Sequence, residues 1–136
     1  MKRRDFIAAG AALALVPMAA KAAPLEYKPG LVKKHLAKGE TVFLDFKASW
    51  CGTCKAQERV INALKGENPA YDKNITFINV DWDEYGRSEL AFDLEIPRRS
   101  TLVVLKGDAE LGRIVADTSR ESIKALMDAA LDAATA

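Results

Sequence analysis

Cysteine and histidine are scarce in this chain of 136 residues, which holds two cysteines and one histidine. A closed structural zinc site requires four ligands, mostly nitrogen or sulfur, and a small scaffold held together by disulfides requires several cysteine pairs. Because the chain offers so few of these side chains, both classes of protein are disfavoured. The two cysteines therefore stand out as one candidate pair.

An excess of one charge is also lacking, since 20 basic residues are balanced by 19 acidic ones, for a formal net charge of +1. Binding to a phosphate backbone requires a broad basic surface, so we expect no nucleic-acid partner. Apolar residues make up 49% and charged residues 29% of the chain, which is ordinary for a soluble globular protein. The length fits one domain with a core of its own.

The apolar run near the N-terminus, residues 6–16, is too short to cross a bilayer, because crossing the hydrocarbon core takes about 20 residues. Basic residues at positions 2–4 precede this run, and the small-residue pattern Ala20-Lys21-Ala22 follows it. This arrangement predicts a secretory signal peptide over residues 1–22 that is cleaved near Ala22, leaving a domain over residues 23–136. We therefore expect a periplasmic protein.

The start of that segment, Arg3-Arg4-Asp5-Phe6-Ile7, resembles the twin-arginine export signal. The resemblance implies that the domain is exported after it has folded. Ordinary secretory signals also begin with basic pairs, so the alternative export route stays open.

Helical and strand patterns alternate along the rest of the chain. Apolar residues at helical spacing indicate helices over residues 31–38, 53–64 and 84–93 and after the candidate N-cap Ser119. Runs of β-branched and aromatic residues indicate strands over residues 41–46, 75–80, 102–105 and 111–115, the last two joined as a hairpin. This order predicts an α/β fold whose central mixed sheet of about four strands is flanked by helices.

The two cysteines are spaced as Cys51-Gly52-Thr53-Cys54, after a predicted strand and at the start of a predicted helix. Unpaired N–H groups and the positive end of the helix dipole favour a thiolate at Cys51. A thiolate attacks a disulfide, and a second thiol one helical turn later resolves the mixed disulfide that results. We therefore predict that Cys51 is the attacking cysteine and Cys54 the resolving one.

Two other interpretations of the pair are a permanent disulfide and half of a metal site. A bridge that encloses only two residues removes little entropy from the unfolded chain, so it is a poor structural staple. A metal site would have to be completed by the single histidine and by carboxylates. We therefore favour the redox interpretation and expect no metal or other cofactor.

The segment around the pair resembles the thioredoxin superfamily, in particular thioredoxins and the C-terminal domain of DsbD-type reductases. The matching residues are Asp45-Phe46-Lys47-Ala48-Ser49-Trp50-Cys51-Gly52-Thr53-Cys54-Lys55, and the resemblance extends over residues 31–134. It implies a thioredoxin-like fold, with Trp50 beside the sulfurs and Asp45 beneath Cys54, where it helps to deprotonate that thiol. Burial raises the pKa of a carboxyl toward neutrality, which suits proton transfer. A buried polar group without a catalytic role is the alternative for Asp45.

Two features depart from the family pattern. The residues between the cysteines are Gly52-Thr53, so the reduction potential of other members cannot be transferred. Where the family has a cis-proline, this chain has Ser100, so either Pro97, three residues earlier, is shifted by an inserted loop or the cis-proline is absent. A cis bond before serine would cost about 3 kcal/mol, so we expect a trans bond and an altered substrate groove. Arg98 and Arg99 are then expected near the sulfurs, to stabilise the thiolate or hold an acidic substrate segment, a solvated loop being the alternative.

The resemblance implies a thiol:disulfide oxidoreductase that acts on protein thiols and disulfides. The lack of histidine between the cysteines and of an inserted helical domain favours a reductase or electron relay, which a membrane transducer of DsbD type would recharge. A disulfide oxidase or isomerase is one alternative. A redox-inert metal carrier or binding module on the same scaffold is another.

Overall fold

The computed structural model describes residues 23–136 and arranges them around one mixed sheet. The predicted signal peptide over residues 1–22 lies outside the described residues. The strands are β1 (Leu25–Glu26), β2 (Thr41–Lys47), β3 (Thr76–Asp81), β4 (Thr101–Lys106) and β5 (Ala109–Val115). Their order across the sheet is β1-β3-β2-β4-β5. The α/β class and the mixed sheet are confirmed, and β1 adds a fifth strand to the four predicted ones.

The sheet combines parallel and antiparallel pairs of strands. Strands β1, β3 and β2 run parallel, whereas β4 lies antiparallel to both β2 and β5. The predicted hairpin between β4 and β5 is confirmed, with Gly107 at φ +59° in its turn. The two-residue strand β1 was not predicted, because so short a segment shows no alternation of polar and apolar residues.

Six helices flank the sheet in the described part of the chain. They are α1 (Leu31–Ala37), α2 (Gly52–Glu67), α3 (Ala70–Asn74), α4 (Trp82–Tyr85), α5 (Glu89–Asp93) and α6 (Arg120–Thr135). Ser119 is the N-cap of α6, as predicted, and its side chain accepts a hydrogen bond from the Ser122 N–H. None of the helices between residues 23 and 136 combines the length and apolar character needed to span a bilayer.

Two predicted helix boundaries were wrong. The single helix expected over residues 84–93 is divided at Gly86, because Ser88 caps a new helix by accepting from the Ala91 N–H. Helix α2 was expected to end at residue 64, but it continues to Glu67, and α3 starts after Pro69. Proline is favoured at a helix start, since it lacks the N–H that would remain unpaired there.

Strand β2 lies at the centre of the sheet and is covered on both faces. Its alternating side chains divide between two apolar clusters. Phe43 packs with side chains of α2, α3 and α6, whereas Val42, Leu44 and Phe46 pack with side chains of α1, α5, β3 and β4. Because side chains alternate along a strand, Asp45 shares the face of Phe43. The one acidic residue of β2 therefore faces the helix that carries Cys54.

Candidate active site

Cys51 and Cys54 lie where β2 leads into α2. Cys51 is the N-cap of α2, and its Sγ accepts a hydrogen bond from the Cys54 N–H at 3.1 Å. Both cysteines are free thiols, and they are 3% and 1% exposed. Helix α2 begins here because Cys51 takes an extended backbone conformation. This conformation directs the Cys51 side chain toward the first unpaired N–H groups of the helix.

The two thiols differ in acidity. Burial alone would raise the pKa of Cys51, but hydrogen bonds from the Cys54 thiol, from Ser100 and from the Cys54 N–H outweigh it, together with the Arg99 side chain. The resulting pKa of Cys51 is about 7, below the ordinary value of 9.0. Burial, with the hydrogen bond to Cys51, raises the pKa of the Cys54 thiol. Cys51 therefore loses its proton at a lower pH than Cys54 does.

Ser100 lies across both sulfurs. Its Oγ is 3.2 Å from Cys51 Sγ and 3.0 Å from Cys54 Sγ, and the residue is fully buried. Its φ is +65°, a left-handed conformation that is uncommon for a residue with a Cβ. All peptide bonds of residues 23–136 are trans, so the trans bond expected at Ser100 is confirmed and Pro97 is also trans.

Gln57 fixes the loop that carries Ser100, and the sequence analysis missed it. Its fully buried Nε2 donates to the backbone carbonyls of Ser100 at 3.0 Å and of Asp117 at 3.1 Å. A signal was available, because Gln57 lies three residues after Cys54 and therefore on the same face of the helix. A polar residue on the face that carries a buried cysteine indicates a structural or catalytic contact.

Asp45 is a buried carboxyl on the α2 side of the sheet. It is 6% exposed, and its Oδ1 has no hydrogen-bond partner within the described residues. Burial raises the pKa of Asp45 to about 7, and the charges of Glu58 and Cys51 act in the same direction. A cavity of about 110 Å³ adjoins the carboxyl, and its polar lining includes Glu58, Asn62 and Lys65. A cavity of this size and polarity has room for water.

Trp50 forms the exposed edge of the site. It is 57% exposed, and its Nε1 donates to both carboxylate oxygens of Asp83 at 3.0 and 3.1 Å. The Arg99 guanidinium lies over its ring, 4.6 Å from the centroid. The partly buried Trp82 packs against the cluster of Ala48 and the two cysteines. Asp83 and Trp82 were not among the predicted site residues, and their position so far along the chain gave no local signal.

The other predicted neighbours are exposed or partly exposed. Gly52 and Lys55 are exposed on the first turns of α2, and Thr53 is partly exposed. Pro97 is exposed, and the Arg98 Nε donates to the Arg99 carbonyl. No group of three histidine, cysteine or acidic side chains gathers within residues 23–136 in a way that could hold a metal ion.

Comparison with known proteins identifies the family. The family model described as thioredoxin matches residues 26–129. Thioredoxin H2-1 of Oryza sativa is 33% identical over 104 residues, which cover 74% of this chain and 71% of the relative. The chain belongs to the thioredoxin family. Thioredoxin of Staphylococcus haemolyticus is 30% identical over 62% of this chain and 77% of its own length.

Solved structures of the thioredoxin family have the same fold. Trxlp from Edwardsiella tarda aligns with a TM-score of 0.64 and 26% identity, over 75% of this chain and 97% of its own. Reduced Schistosoma mansoni thioredoxin pre-protein aligns with a TM-score of 0.62 and 24% identity, over 79% of this chain and 97% of its own. The resemblance to the thioredoxin superfamily is thus confirmed, and this thioredoxin-family protein is a thiol–disulfide oxidoreductase.

Proposed function

We propose that the chain is an exported reductase or electron relay that keeps protein thiols reduced in the periplasm, acting by dithiol–disulfide exchange at Cys51 and Cys54. The observation that carries the proposal is an N-cap thiol, Cys51, with a pKa of about 7 beside a buried second thiol. A pKa near 7 is typical of reducing thioredoxins, whereas strongly oxidising members have attacking cysteines with pKa values of about 3.5.

In the proposed mechanism the Cys51 thiolate attacks one sulfur of a substrate disulfide. A Cys51–substrate disulfide forms, the substrate disulfide breaks, and the released substrate sulfur takes up a proton. Cys54 then loses its proton and attacks the Cys51 sulfur, which releases the second substrate thiol and leaves a Cys51–Cys54 disulfide. Two electrons have passed from the cysteine pair to the substrate.

Asp45 is proposed as the group that accepts the Cys54 proton. Its pKa of about 7 allows a carboxylate to be present at neutral pH and still to bind a proton. Its place on the face of β2 that packs against α2 puts it on the side of the helix that carries Cys54. The adjoining cavity gives the proton a route to solvent through water.

The oxidised pair must be reduced again before a second turnover. We propose a membrane electron transducer of DsbD type as the donor, because the basic and apolar N-terminal segment supports export to a compartment without the cytoplasmic thiol buffers.

The proposed export is tested on the N-terminal segment itself. Mass spectrometry of the mature protein is expected to find an N-terminus at Ala23. Replacing both Arg3 and Arg4 by lysine is expected to block export if the twin-arginine route is used, and to leave it intact if the ordinary secretory route is used.

The exchange mechanism is tested with single-cysteine variants and a model protein disulfide. Cys54→Ser is expected to accumulate a covalent mixed disulfide, because Cys51 attacks but nothing resolves the product. Cys51→Ser is expected to form none, and Ser119→Ala, at the N-cap of α6, serves as the matched serine control with wild-type turnover. Failure of the Cys54 variant to trap the model substrate would instead favour the redox-inert carrier.

A further inference from the structure

We propose that Ser100 is a catalytic residue whose hydroxyl bridges the two sulfurs of the reduced pair, accepting from the Cys54 thiol and donating to the Cys51 thiolate. This inference rests on the proposed exchange at Cys51 and Cys54 and adds a third side chain to it. Serine stands here where the family resemblance led us to expect proline, so the hydroxyl is a feature of this chain.

The geometry of the three side chains allows one continuous chain of hydrogen bonds. A hydroxyl has one donor and two acceptor lone pairs. The Ser100 Oγ, 3.0 Å from Cys54 Sγ, shares the Cys54 S–H with Cys51, and its own O–H donates to the Cys51 thiolate at 3.2 Å. Because the residue is fully buried, water does not compete for either bond.

The backbone holds this hydroxyl in place from three sides. The Ser100 N–H donates to the Phe46 carbonyl at 2.6 Å, and the Ser100 carbonyl accepts from Ala116 N–H at 2.8 Å and from Gln57 Nε2 at 3.0 Å. These bonds maintain the φ of +65°. A strained conformation of this kind persists only where the surroundings determine it, and strain of this kind clusters at functional sites.

Three ionisable groups face Cys51, and each comes from a different part of the fold. Arg99 precedes β4 and favours the thiolate, Asp45 on β2 opposes it when ionised, and Cys54 on α2 donates to it. The Ser100 hydroxyl carries no charge, so removing it leaves these three groups in place. Its effect can therefore be measured separately from theirs.

The bridge favours the reduced state over the oxidised state. In the reduced pair with Cys51 as the thiolate, the hydroxyl donates to a full negative charge, and hydrogen bonds to charged groups are the stronger ones. In the Cys51–Cys54 disulfide neither sulfur carries a charge or a proton, so the hydroxyl loses both strong interactions. Ser100 is thus expected to raise the reduction potential and to keep Cys51 reactive at neutral pH.

The test compares Ser100→Ala with Ser100→Gly in the reduced protein. Both variants remove the hydroxyl, but glycine adopts a φ of +65° without strain, whereas alanine keeps the Cβ and the strain. The pKa of Cys51 is measured from the ultraviolet absorbance of the thiolate as a function of pH. We expect both variants to raise that pKa by about one unit, a tenfold weaker acid, and Ser119→Ala to leave it unchanged.

A second readout is the reduction potential at a pH above the pKa of Cys51 in every variant. A tenfold loss of thiolate stabilisation corresponds to a potential more negative by about 30 mV, again in both Ser100 variants. An unchanged pKa of Cys51 in either variant would overturn the proposal. If Ser100 acted only through its backbone conformation, the two variants would differ, because only alanine keeps the Cβ and the strained φ. If the wild-type pair cycles while the Ser100 variants match it, only this inference fails; if the wild-type pair does not cycle, the proposed function fails.

Discussion

At the scale of single residues, Cys51 differs from an ordinary cysteine because hydrogen-bond donors surround a sulfur that burial alone would keep protonated. The Cys54 N–H and thiol, the Ser100 hydroxyl and the Arg99 side chain together lower the pKa of Cys51. An acid with a depressed pKa reacts as the thiolate at a pH where other cysteines are still protonated.

The pH dependence of alkylation tests this acidity. The rate of Cys51 modification by a small alkylating reagent is expected to rise with pH and to reach half its maximum at about pH 7. Peptide mapping assigns the adduct to Cys51 rather than to Cys54, whose pKa is raised. A half-maximal rate near pH 9, the ordinary value for a thiol, would contradict the proposed geometry.

The raised pKa of Asp45 makes the stability of the fold depend on pH. Its pKa is raised from 3.8 to about 7, so the folded state binds the proton more tightly than the unfolded state. Ionisation therefore opposes folding increasingly as the pH rises from about 4 to 7, and the full cost, roughly 4 kcal/mol at most, is present above pH 7. Removing the charge is expected to stabilise the protein at high pH only.

Asp45→Asn is accordingly expected to raise the free energy of unfolding by a few kcal/mol at pH 8 and by much less at pH 4, as measured by urea denaturation. The same variant is expected to slow disulfide exchange at neutral pH. Asp108→Asn, in the exposed hairpin turn, is the control and is expected to change neither property. An unchanged rate of disulfide exchange in Asp45→Asn would show that Asp45 takes no part in the mechanism. An unchanged free energy of unfolding at pH 8 would contradict the claim that the ionised Asp45 carboxylate destabilises the folded state.

At the scale of elements, the geometry of the site depends on the hydrogen bonds between α2 and the loop before β4. Gln57 on α2 makes two hydrogen bonds to backbone carbonyls, those of Ser100 and Asp117, which leaves the loop in a fixed position over the sulfurs. No other side-chain hydrogen bond of the described residues joins α2 to the Ser100 carbonyl.

Gln57→Met keeps the length of the side chain and removes both donors. It is expected to lower the free energy of unfolding by roughly 1–3 kcal/mol, since two buried carbonyls lose a partner. Arg59→Met, at an exposed position of the same helix, is the matched control and is expected to have little effect. Equal stabilities of the two variants in urea would show that the Gln57 hydrogen bonds do not hold the loop.

The elements also show how far local sequence reasoning reaches. The strand β2 and the cysteine pair at the start of α2 could be predicted, because each depends on neighbouring residues. The break at Gly86 was missed, although Ser88 is a good N-cap. The contact of Ser100 with the sulfurs could not be derived from spacing. Ser100 lies 49 positions after Cys51 and 46 positions after Cys54, and the antiparallel pairing of β4 with β2 brings them together.

At the scale of the whole molecule, the fold brings three distant parts of the chain to one end of the central strand. Strand β2 supplies Asp45 and leads into the cysteines, the loop before β4 supplies Arg99 and Ser100, and helix α4 after β3 supplies Trp82 and Asp83. The thioredoxin family accounts for this arrangement. The direction of electron flow depends on the balance of these local contacts, which the family alone does not determine.

The reduction potential of the Cys51 and Cys54 pair tests the central claim most directly. The purified protein is equilibrated with thiol–disulfide buffers of known potential, and the free thiols are counted at each potential. A reductase or electron relay is expected to have a potential near or below about −220 mV. A potential above about −150 mV would make the protein an oxidant and would contradict the account.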